Sequence, residues 1–220
     1  MKVELIPVIE IGFEEEESYF IQPTPNNSYW LNSKKWEQYF TEKIKKNGYE
    51  NYTSIKEGYP FYRINQFTSK KDLLKIIQFH LGGAKEKTRI PLNKSCALFG
   101  GYVLVIDEQI VFTPQCCSTL SDILTWQSII KDEFKEGYIC LEGHPCPKVM
   151  SIEDTLQFTF EDKWEDFIPP AITSIVDKQA MTHAIEKCQL ELDEFGKRLN
   201  SLSEILNQKE IAELLIYTKA

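Results

Sequence analysis

Apolar residues change their spacing several times along this chain, and each change predicts an element. Residues 3–13 (VELIPVIEIGF) are dense in aliphatic side chains and read as an opening strand, with Pro7 pointing to an edge or a bulge. Trp36, Tyr39, Phe40 and Ile44 fall on one stripe of a helix over 34–46, which Ser33 can cap and Asn47-Gly48 can end. A short strand is expected near 59–67. A helix over 70–81 follows, capped by Thr68 or Ser69 and stopped by Gly82-Gly83, with Leu73, Leu74, Ile77 and Phe79 available to a core.

The centre reads as a hairpin of residues 96–106 and 109–113, turned at Asp107-Glu108. Gly100-Gly101 marks a bulge or the close approach of another backbone. Pro114 stops the second strand. Ser118, Thr119 or Ser121 then caps a helix to about 134 that buries Leu120, Ile123, Leu124, Trp126 and Ile130. Further strands are expected near 138–142 and 155–161, with Pro145 and Pro147 fixing an extended segment between them. Beyond Pro169-Pro170 the period becomes helical. Met181, Ile185, Cys188, Leu192, Phe195, Leu199, Leu202 and Leu206 recur at alternating spacings of four and three, with Gly196 and Asn200 favouring a kink or break near 196–201. That stripe suits a helix lying on the protein's own sheet, or a helical hairpin or homodimer seam through 181–206. A last helix would carry Ile211, Leu214 and Leu215.

The order of elements predicts an α+β fold. A mixed or mainly antiparallel sheet packed by helices occupies residues 1–168, and a C-terminal helical extension occupies 169–220. The chain's 220 residues suffice for a core without staples, and its net charge of −8 disfavours nucleic acid and anionic membrane while favouring a basic partner. Two acidic clusters, Glu14, Glu15, Glu16 and Glu17, and Glu161, Asp162, Glu165 and Asp166, are either solvated loops or the surface offered to such a partner. No stretch reaches the roughly 20 apolar residues of a membrane span. The N-terminus lacks a leader pattern, so a cytoplasmic protein with reduced cysteines is expected.

Chemistry is concentrated in two short stretches, residues 98–126, whose PQCCS segment at 114–118 joins a strand to a helix, and residues 143–149 (GHPCPKV). A cysteine at a helix start has its thiolate stabilised, so Cys116 or Cys117 could act as a nucleophile with His144 as base and Asp122 or Glu142 as orienting acid. Cys117, Cys140, His144 and Cys146 offer the soft donor set of a zinc site, although Cys-x3-His-x-Cys is not a standard knuckle. Equally, cysteines pack as small hydrophobes, and the region can be plain architecture. His80 and His183 have no evident partners and read as structural. No phosphate loop, dinucleotide fingerprint, nucleophile elbow or His-Glu-x-x-His is present, and no cofactor is expected.

Gly100-Gly101-Tyr102-Val103-Leu104, the Pro114-x-Cys-Cys-x-x-Leu120 pattern with Asp122 and Trp126, and Gly143-His144-Pro145-x-Pro147 resemble a motif set of uncharacterised bacterial proteins. That group is similar to the immunity proteins encoded beside polymorphic toxins, loosely related to the yeast cell-wall regulator superfamily. The resemblance spans about 50 residues and implies a protein-binding module that neutralises a toxin by covering its active site.

Overall fold

The computed structural model describes residues 1–12, 31–49, 52–82, 90–115, 117–139, 146–160 and 172–218. Its strands form two four-stranded sheets rather than one. The first contains β1 (Val3–Glu10), β2 (Phe61–Arg63), β3 (Gly100–Ile106) and β4 (Gln109–Phe112) in the order β2-β1-β3-β4. The second contains β5 (Glu136–Tyr138), β6 (Pro147–Ile152), β7 (Thr155–Phe160) and β8 (Thr173–Asp177) in chain order. Every strand pair is antiparallel. The helices are α1 (Ser33–Lys46), α2 (Lys70–His80), α3 (Ile123–Ile129), α4 (Lys178–Asn200) and the single turn α5 (Ser203–Leu206). The α+β class expected from the sequence is the one observed.

β1 is a central strand, not an edge. Leu5 and Ile9 face the main core, while Ile6 and Val8 meet Tyr59, Phe61 and Val103 on the other side. Pro7 is tolerated there for a directional reason. The Glu10 N–H points toward the β3 side, donating to the Phe99 carbonyl, so the missing N–H of Pro7, three residues earlier, belongs to the opposite flank. β2 covers that flank only at Val8–Glu10. Against β3 the strand comes very close: a Cβ on Gly100 would lie 2.2 Å from the Val8 carbonyl oxygen, and Gly100 has φ +138°. The glycine pair marks a close backbone approach, one of the two readings its sequence allows. At the hairpin turn, Asp107 and Glu108 both adopt positive φ (46° and 69°), the left-handed geometry that matches strand twist.

Several expected boundaries shift. Asn32, not Ser33, occupies the N-cap of α1, and the Ser33 hydroxyl donates instead to Glu57 at 2.7 Å. Ser69 does cap α2, accepting from the Asp72 N–H. α3 is shorter than expected and leaves Leu124 exposed. β8 falls where a helix was expected, because the strand feeds α4 without a loop. Asp177 ends one and caps the other, accepting from the Ala180 N–H at 2.8 Å.

α4 runs unbroken to Asn200, and its stripe from Met181 to Leu199 is buried. Those side chains share one cluster with β1, β3, Trp126 and β7. The stripe is thus consumed inside the chain, as in a helix lying on the protein's own sheet. Gly196 stays small because Ala212 packs over it; an added Cβ would lie 3.2 Å from the Ala212 Cβ. Among the described residues no helix is long and apolar enough to cross a membrane.

Because α4 and both sheets share a core, Leu192→Ala should cost about 2–5 kcal/mol. Unfolding of wild type and variant in urea, followed by tryptophan fluorescence and far-ultraviolet circular dichroism, should give one coincident transition. Two separated transitions would mean that the C-terminal helices fold as an independent unit.

Candidate functional site

The corner between β4 and α3 holds the sulfur-rich motif, and its described atoms are committed to local structure. Thr119 and Asp122 form a reciprocal capping box. The Thr119 hydroxyl accepts from the Ser121 N–H at 3.3 Å, and the Asp122 carboxylate accepts from the Thr119 N–H at 3.2 Å. The Tyr102 hydroxyl, fully buried, donates to the Leu120 carbonyl at 2.6 Å and pins the corner onto β3. The Ser118 carbonyl accepts from the Gly100 N–H, and the Leu98 carbonyl accepts from the Leu120 N–H. Burial pushes the Asp122 carboxyl up to about 6, with the Thr119 N–H and the Ser118 side chain opposing the shift. Asp122 is therefore held as a cap.

Cys117 is exposed, is not part of a disulfide and sits at φ +67°. Cys116, Cys140, Glu142 and His144 lie outside the described residues, as do Glu14–Glu17, Glu161, Asp162, Glu165 and Asp166. Cys146 is buried and disulfide-bonded, with its partner outside the described residues. That removes it from the zinc set considered above, since a disulfide sulfur is not a thiolate donor. It also departs from the expectation that all six cysteines are reduced. Among the described residues no group of three metal-donor side chains occurs. His80 and His183, expected to have no evident partner, each bond a backbone carbonyl: Nε2 of His80 to Cys96 at 2.9 Å, and Nδ1 of His183 to Gln179 at 2.9 Å.

A surface that the sequence reading missed lies on the second sheet. The β5–β8 registers place Glu136, Met150, Gln157 and Ile175 in one cross-strand row, and Tyr138, Lys148, Thr159 and Thr173 in the next row on the same face. Ile152 follows on that face. The opposite face carries Val149, Leu156, Phe158 and Val176, all buried. On the outward side Tyr138 is 51% exposed, Met150 37%, Ile152 43% and Ile175 54%. Lys148 and Glu136 pair across this face at 3.2 Å. Strict alternation along 155–160 was the legible signal, but it identifies only which residues leave the core, not that apolar ones gather there.

Comparison of the chain with known protein families, curated proteins and solved structures found no match.

Two outcomes follow. Native protein treated with a thiol reagent at neutral pH should label Cys117 first, Cys96 more slowly, and Cys188 only after denaturation, because burial pushes the Cys188 thiol up. The denatured, unreduced chain should show two fewer thiols than the reduced chain; equal counts would remove the disulfide. Asp122, with a folded pKa of about 6 against an ordinary 3.8, binds its proton more tightly when folded. The stability it contributes is complete below about pH 4 and is lost as pH rises to about 6, a change on the order of 3 kcal/mol. Urea unfolding at both ends of that window should show wild type losing stability relative to Asp122→Asn by that order; a constant difference would refute it.

Proposed function

We propose that this chain is a protein-binding module that neutralises a basic bacterial toxin, and that the outward face of the second sheet is its contact surface. The observation that carries the reading is the group Tyr138, Met150, Ile152 and Ile175, exposed together on a rigid antiparallel sheet. Met150 and Ile152 stand on β6, Tyr138 and Ile175 on the outer strands β5 and β8, and polar Lys148, Gln157 and Thr159 lie between them, a mix of large apolar anchors and hydrogen-bonding groups of the kind found at binding surfaces. The charge of −8 supports a basic partner, because complementary fields speed encounter and reject acidic competitors. The commitment of Asp122 to a cap favours binding over the cysteine-enzyme alternative. The Cys146 disulfide favours an oxidising compartment over the reducing cytoplasm, and the thiol count given above decides between them.

The reading predicts that a toxin encoded beside this gene binds the purified chain, and that co-expression restores growth. Changing Met150 and Ile175 together to Asp should weaken that complex at least about 100-fold, since each hot spot carries roughly 2 kcal/mol. The variant should stay folded, because both side chains face solvent. Absence of any complex with the neighbouring gene product, or an undiminished complex with the double variant, would overturn the proposal.

A further inference from the structure

We propose that the cleft between the end of β1, the last turn of α2 and the segment entering β3 binds a small organic cation, an ammonium or guanidinium group on a short alkyl stem. The cleft encloses about 190 Å³. That equals roughly six waters at liquid density, room for a charged head and a few methylenes. It is smaller than the pockets of about 300–1,000 Å³ that take larger ligands.

Its walls are apolar and aromatic. Ile76 and Leu98 are buried at the base, and the Phe79 and Phe99 rings line the sides. Phe79 can lie where it does only because residue 12 is glycine: a Cβ there would fall 1.6 Å from the ring. Phe99 is 44% exposed, and its ring meets His80 edge-on, with centroids 5.1 Å apart. An exposed phenylalanine at the rim of a cleft supplies a π-face to an incoming cation.

The side-chain polar groups left for a ligand accept, because the His80 Nε2–H is spent on the Cys96 carbonyl. Glu10 is the one charged side chain lining it among the described residues, and no described cation pairs with it. Glu10 is an exposed residue, yet the protein around its carboxyl holds it above the ordinary value, with no offsetting charge among the described residues. His80 points the same way. Its Nε2 faces the Cys96 carbonyl, which can only accept, so Nε2 carries the proton. Burial lowers the imidazole's affinity for a second proton, leaving Nδ1 as a lone pair. A carboxylate, a ring-nitrogen acceptor and two aromatic walls repel an anion. A neutral apolar ligand would displace water from the carboxylate without replacing its hydrogen bonds. A cation satisfies all of them.

The same chemistry is carried by a free amine and by a lysine or arginine side chain of a protein, and one titration separates the two. Amide-resolved NMR of the full chain would be recorded against n-butylamine and butylguanidine as hydrochlorides, n-butanol and butyrate. The two cations should give saturable shifts at Glu10, Gly12 and Phe99 with dissociation constants on the order of millimolar, as befits about five to eight heavy atoms. Butanol and butyrate should bind at least about tenfold more weakly. Glu10→Gln should lose at least about fivefold of cation binding, and Phe99→Ala, at an exposed position, about threefold; the second variant serves if the first fails to fold. A Gly-Lys-Gly peptide with blocked ends binding more tightly than butylamine would assign the site to a protein side chain, and the reverse order to a free amine. No saturable shift from either cation, equal binding of butanol, or unchanged affinity in both variants would overturn the proposal. None of these readouts uses the sheet face, so failure here leaves the toxin-binding reading standing.

Discussion

The contact of bare backbone between β1 and β3 is the constraint on which the rest depends. With no side chain at residue 100, the Val8 carbonyl can sit where a Cβ would be, and the register Val8↔Gly101 and Ile9↔Gly100 follows. That register sends Leu5 and Ile9 toward the helices and Ile6 and Val8 toward the smaller cluster behind the sheet. It also sets the height of Tyr102, whose hydroxyl anchors the turn before α3. A side chain at residue 100 would separate the strands, and every element positioned from β3 would lose its reference.

Seen from that strand, the two halves of the molecule divide their tasks. The corner at 114–122 spends its polar groups on its own backbone: a threonine, an aspartate and a tyrosine satisfy groups that would otherwise be orphaned beside the core. The second sheet has one face closed by Val149, Leu156, Phe158 and Val176, and its other face free for large side chains. An antiparallel sheet allows this asymmetry because successive residues alternate sides.

Features with strong local chemistry were legible in the sequence. The two-residue turn at Asp107-Glu108, the Ser69 cap and the Met181–Leu199 stripe all depend on residues within one or two turns of each other, so spacing alone exposes them. What stayed hidden depends on distant pairing. The division into two sheets is decided by which strands find one another, and nothing in TSIVD announces a strand that runs straight into a helix. Pro7 misled because its meaning depends on which flank lacks a neighbour. The cleft beside Glu10 joins residues 10–12, 76–80 and 98–99, three stretches that sequence order gives no reason to combine. Conversely, the cysteines drew attention because they are chemically conspicuous, although Cys188 is simply packed in the core.

The backbone ties at Leu98 carry a consequence for how the chain is made. Its N–H donates to the Leu215 carbonyl, in the π-helical turn Glu213–Tyr217, and the Ala97 N–H donates to Thr218. β1 likewise waits for β3 some ninety residues later. A nascent chain emerging from the ribosome therefore carries its central strand unsealed until β3 follows, and the entrance to its hairpin unsealed until residues 215–218 follow, and a product stalled before either point would present those apolar segments to chaperones and proteases.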